Sequence, residues 1–163
     1  MAISEALAWE IVEEFARDLA AALGYQLLSA VVIGGLGAGT YRPGISDIDT
    51  VVIVTPNALL AAEPPVARLR EEYRARYQVP REFGAILLTP AQLCPPYPPE
   101  EDLVPEVQRL VDQGRLAYGV QVPVIPPTRA ELLAISWTSP SAVRPSRCGG
   151  QYISCTFVRI LLQ

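Results

Sequence analysis

Two apolar runs, "YQLLSAVVI" (Tyr25 to Ile33) and "DIDTVVIV" (Asp47 to Val54), bracket the stretch "GGLGAGTYRPGIS". Both runs are short, rich in Val, Ile and Leu, and bounded by turn residues, which predicts two buried strands joined by a glycine-rich connection. That connection either cradles the phosphates of a nucleotide or serves only as a turn needing positive φ at its glycines. Glycine-rich loops are common, so the neighbouring residues decide between these readings.

The remaining elements follow from period and punctuation. Ser4 suits an N-cap for a first helix ending near Gly24, with Leu7, Ile11, Phe15 and Leu19 as its apolar face and Glu13, Glu14 and Asp18 in water. A second helix is expected from about Pro65 to Tyr77, with Val66, Leu69 and Tyr73 as one stripe. "EFGAILLT" (Glu82 to Thr89) predicts a third strand, and a Pro-rich loop leads to a third helix over Asp102 to Gln113, stopped by Gly114. "RLAYG" is a short last strand, and "TRAE" at Thr128 to Glu131 has capping-box spacing and opens a short helix. Trp9, Phe15 and Tyr73 are expected in the core, and the acids Glu100 to Asp102 as charge at a helix N-terminus.

At 163 residues the chain has room for one domain with a core and a small appendage. We expect a domain over 1–135 and an atypical tail over 136–163, because from Leu132 onward the chain carries three Arg and no acid. An altered reading frame, a truncated second domain or a partner-pairing strand in "YISCTFVRILL" are the alternatives for that tail. No uninterrupted apolar window reaches the ~18 residues of a membrane span, and the acidic N-terminus is unlike a signal peptide. A cytoplasmic location is the expectation.

Charge narrows the chemistry. The net charge is −4, which disfavours broad nucleic-acid binding, and all 13 basic residues are Arg. Without Lys or His there is no P-loop lysine, no Ser-His-Asp triad, no Cys-His nucleophile pair and no His-based zinc site. Cys94, Cys148 and Cys155 lack paired metal-ligand spacing and read as incidental or buried thiols. Carboxylates, Arg, hydroxyls and backbone amides are left to do any work.

Gly34, Gly39 and Thr40 are spaced like a P-loop whose Lys has been deleted, which removes the phosphate contact that loop needs. Gly35, Gly37 and Gly39 have the wrong spacing for a dinucleotide fingerprint. Asp47 and Asp49, one residue apart at the start of a strand, point to the same side by the strand period. Two adjacent carboxylates repel, and the pair invites a hard cation such as Mg²⁺ together with substrate phosphates. Their alternative is a solvated strand start.

Taken together, Gly34-Gly35, the continuation "GTYRP" and Ser46-Asp47-Ile48-Asp49 resemble the signature of the DNA polymerase β-like nucleotidyltransferase superfamily. Within it the aminoglycoside adenylyltransferase branch and its relatives look most similar, over roughly Ser4 to Ile135. The resemblance implies an α/β (α+β) nucleotidyltransferase fold, a small mixed sheet with helices mainly on one face. It also implies Mg²⁺-dependent transfer of AMP from ATP to a hydroxyl of an aminoglycoside-like small molecule or of a protein partner. Asp47 and Asp49 would bind metal, and Glu82 would act as third ligand or as base on the acceptor. Two metals ~3.5–4 Å apart would stabilise the entering and leaving oxygens. Gly34, Gly35, Arg42 and Ser46 would hold the nucleotide phosphates.

The chain departs from that pattern in three places. Gly35 stands where many members carry Ser, Glu82 follows Arg81 directly, and the sequence stops or changes character where the helical acceptor domain of drug-modifying members is expected to begin. A non-catalytic nucleotide- or partner-binding module is the rival expectation.

Overall fold

The structure, a computed structural model, describes residues 2–79, 82–97 and 103–138. The expected acids at Glu100 to Asp102, both later cysteines and the tail from 139 onward lie outside those residues.

Helix α1 (Glu5–Leu23) starts where predicted. The Ser4 side chain accepts the Leu7 N–H, and Gly24 closes the helix at φ +55°. It is followed by β1 (Leu27–Ile33), a single turn α2 (Gly34–Gly37), β2 (Ile48–Val54), α3 (Leu59–Tyr77) and β3 (Phe83–Leu88). The chain continues through α4 (Leu103–Gln113), β4 (Arg115–Gly119) and α5 (Arg129–Thr138). The predicted capping box opens α5: Glu131 accepts the Thr128 N–H at 2.7 Å, while Thr128 Oγ1 accepts the Glu131 N–H.

The four strands form one mixed sheet in the order β3-β2-β1-β4. β1 runs antiparallel to β2 and β4, and β2 and β3 are parallel. Alternation along β2 divides the core. Ile48, Val52 and Val54 join α1 and α3 in one cluster, whereas Val51 and Ile53 join Leu103, Val104, Val107 and Leu110 of α4 in another. The two long helices therefore share one face, and α4 covers part of the other. Phe15 and Tyr73 are fully buried, with Phe15 edge-on to both Tyr73 and Phe83. Trp9 packs against the same cluster.

Two local expectations need correction. α3 begins at Leu59, not near Pro65, and includes Pro64 and Pro65 in its second turn. Proline's φ suits a helix, and the cost is the two N–H groups that would have bonded to the carbonyls of Leu60 and Ala61. Glu14 and Asp18 are half-buried rather than wet. The Tyr73 hydroxyl donates to Asp18 at 2.6 Å, and Glu14 accepts from the Tyr77 hydroxyl and pairs with Arg76 at 3.0 Å. These bonds lock α1 to α3. Tyr73→Phe is expected to cost about 1.5 kcal/mol in denaturant unfolding, the worth of a hydrogen bond to a charged group. A loss under about 0.3 kcal/mol would mean that water replaces the phenol without penalty.

Candidate functional site

β2 runs out of the glycine-rich connection; Asp47 immediately precedes the strand and Asp49 is its second residue. Asp49 shares its side of the sheet with Val51 and Ile53, the α4 side. Its Cα lies opposite Ile33 on β1 and Gly84 on β3. The carboxylate is wedged between two glycines. A Cβ on Gly34 would stand 2.9 Å from Asp49 Oδ2, and one on Gly84 would stand 2.6 Å from Oδ1. Only hydrogen at both positions leaves room for this side chain.

That setting is unfavourable for charge. Burial, then the carboxylates of Asp47 and Glu82, push Asp49 up to about 6, while Arg109 of α4 pulls the other way. Asp47 Oδ1 is buried and has no hydrogen-bond partner among the described residues. A buried carboxylate oxygen left without a partner is costly. Buried, mutually repelling oxygens of this kind fit a hard cation that prefers oxygen donors.

The predicted residues assemble unevenly. Gly34 and Asp49 touch, as do Gly35 and Ser46, since a Cβ on Gly35 would stand 3.3 Å from Ser46 Oγ. Ser46 Oγ accepts the Arg42 N–H at 2.9 Å, and the Arg42 carbonyl accepts the N–H groups of Ile45 and Ser46. Arg42 therefore shapes the corner through its backbone, and the residue is exposed. Gly34, Gly39 and Gly44 all have positive φ, so the turn requirement holds at these three positions. Tyr41 anchors the connection in the core. The Glu82 carbonyl accepts the Ile48 N–H at 3.0 Å, which sets Glu82 beside Asp47 in the parallel register, with its own residue exposed. Among the described residues no three of Asp, Glu and Cys converge closely enough to enclose a metal ion.

Several neighbours were missed in the sequence. Gly84 comes from a parallel strand whose register the sequence does not state. Glu106 and Arg109, paired at 3.4 Å on α4, both act on the Asp49 charge. Gln113, at the end of α4, accepts the Gly34 N–H at 3.1 Å through Oε1. The i,i+3 Glu–Arg spacing on an amphipathic helix was visible; nothing local marked Gly84 or Gln113.

No family model matches the chain, and no curated protein matches it. Among solved structures it is similar to a toxin–antitoxin complex with AMP-PNP, at TM-score 0.41 and 16% identity over 76% of this chain and 81% of that one. It is also similar to a tri-AMPylated Shewanella oneidensis HEPN toxin in complex with MNT antitoxin, at TM-score 0.38 and 14% identity, over 81% of each chain. The toxin–antitoxin MntA-HepT gives TM-score 0.36 and 14% identity over 78% of this chain and 80% of that one. Superpositions this loose transfer no residue roles. Among the described residues no helix is long and apolar enough to cross a membrane.

Proposed function

We propose that the protein is a nucleotidyltransferase that moves AMP from ATP to a hydroxyl, with Asp47 and Asp49 as its metal-binding pair. The observation that supports this most is the Asp49 carboxylate held between Gly34 and Gly84 beside a buried Asp47 oxygen that has no hydrogen-bond partner among the described residues. Two carboxylates suffice for Mg²⁺ that arrives with a nucleotide, because phosphates and waters complete its shell. Bound there, Mg²⁺ would offset phosphate charge and ease departure of pyrophosphate.

The chain's own residues supply the rest. Gly35 and Ser46 form the wall facing the phosphates, and Arg42 adds positive charge at the mouth. The Gly34 N–H already donates to Gln113, so the cradle's donors begin at Gly35. Glu82, beside Asp47 and open to solvent, is the group that can accept a proton from the acceptor hydroxyl. The acceptor is a small molecule of the aminoglycoside kind or a protein hydroxyl, and both belong in the assay. The division into a domain over 1–135 and a tail over 136–163, and a cytoplasmic site of action, complete the reading.

The first test is thermal unfolding with ATP, with and without Mg²⁺, on the wild type and Asp49→Ala. A ligand at ~100 times its Kd adds ~2.7 kcal/mol, or roughly 5–10 °C for a chain of this size. A Mg²⁺-dependent rise in the wild type that Asp49→Ala abolishes is the expected result. A wild type indifferent to Mg²⁺ and ATP together sinks the proposal and leaves a nucleotidyltransferase-like shell.

A further inference from the structure

Gln113 is the last residue of α4, and its half-buried side chain reaches across the fold to the first residue of α2. Its Oε1 accepts the Gly34 N–H at 3.1 Å, a link between residues 79 apart in sequence. The same helix end meets α2 a second time. A Cβ on Gly37 would overlap the Gln113 carbonyl oxygen. α4 thus holds both ends of the Gly34–Gly37 turn, one through a side chain and one through the backbone.

Gly34 passes that constraint on. It sits at φ +67°, and its Cα is the wall against Asp49 Oδ2. Rotating the Gly34 peptide would open one side of the slot that holds this carboxylate, with Gly84 still closing the other. The acceptor on Gln113 restrains Gly34 at its N–H, while the Gly34 carbonyl accepts the Ala38 N–H at 2.9 Å within the turn itself.

We infer that Gln113 is a positioning residue for the Asp47/Asp49 site, acting through Gly34 and touching neither nucleotide nor metal. This role rests on the proposed function, since the geometry it maintains is that of the nucleotide site.

Three full-length variants test it. Q113M keeps the side-chain length and removes the oxygen, Q113N keeps the amide but shortens its reach, and Q113E restores an acceptor at full reach. Mg·ATP affinity is read by calorimetry, the Gly34 amide by its hydrogen-exchange rate in NMR, and the fold by thermal midpoint. Q113M and Q113N are expected to bind Mg·ATP roughly tenfold more weakly, as small displacements in a site do. Their Gly34 amide should exchange faster while midpoints stay within about 4 °C of wild type. Q113E should recover the slow Gly34 exchange, which a general loss of helix packing would not allow.

Folded Q113M or Q113N that binds Mg·ATP normally overturns the inference. Tighter binding overturns it too, because Gln113 would then be holding an amide that a phosphate needs. If neither variant folds, a wild-type Gly34 amide exchanging as fast as that of exposed Gly39 overturns it. A wild type that does not bind Mg·ATP removes the proposed function itself, a result distinct from binding that the variants leave unchanged.

Discussion

At pH 7, Asp49→Asn is expected to be more stable than the wild type by about 2 kcal/mol, and to have lost its response to Mg·ATP. Burial and the neighbouring carboxylates raise the Asp49 pKa from its ordinary value near 4 to about 6 in the folded protein. The folded state thus holds this proton more tightly than the unfolded chain does. Stability from Asp49 is fully present below pH ~4, falls as pH rises, and is gone above pH ~6. Two pKa units correspond to ~2.7 kcal/mol, and the partial exposure of Asp49 to solvent brings the expected figure somewhat lower. Asn has nearly the same shape and no charge, so it escapes the penalty. The advantage of Asp49→Asn should shrink as the pH is lowered from 7 to 4 in chemical denaturation. A variant that is less stable at pH 7, or whose difference from wild type ignores pH, would contradict this account of the site. Stability gained together with ligand response lost is what a site kept for function produces.

Gly37→Ala and Gly84→Ala are expected to fail in opposite ways, although both add one methyl group. At Gly37 the new Cβ would overlap the Gln113 carbonyl and stand 2.7 Å from that of Val32, so two backbones have to move. Neither can yield cheaply, because one ends α4 and the other belongs to a central strand. A loss of about 3 kcal/mol in denaturant unfolding is expected. At Gly84 the nearest atom is Asp49 Oδ1, at 2.6 Å, the free end of a side chain. Asp49 can rotate aside, so Gly84→Ala should lose only about 1 kcal/mol. Its carboxylate, however, leaves the slot, and the Mg²⁺-dependent rise in midpoint with ATP should disappear. Gly84→Ala that keeps the full rise would show that Asp49 need not occupy this slot. Gly37→Ala within 1 kcal/mol of wild type would show that α4 can back away from the turn.

Much of the fold was legible because its signals are local. Ser4 and Gly24 bound α1, Thr128 and Glu131 open α5, and Gly114 ends α4, each through hydrogen bonds within a few residues. The start of α3 was misplaced because proline usually marks a boundary, whereas in an early helical turn it deletes bonds that the fold tolerates. Glu14 and Asp18 were misjudged for another reason. Their residue type favours water, and only the arrival of Tyr73 and Tyr77 from α3 supplies hydroxyls that make a half-buried carboxylate acceptable.

The candidate site divides along the same line. By itself the sequence determined that two strands flank a glycine-rich turn, that Asp47 and Asp49 stand one residue apart where the second strand begins, and that neither Lys nor His can share the work. Those properties depend only on residue type and order. Only the tertiary structure decided that the slot around Asp49 is closed by Gly84, that Arg109 and Glu106 act on its charge, and that Gln113 holds Gly34. Those partners come from a parallel strand and from a helix far along the chain. Register and packing bring them together, and neither is written in any short stretch of residues.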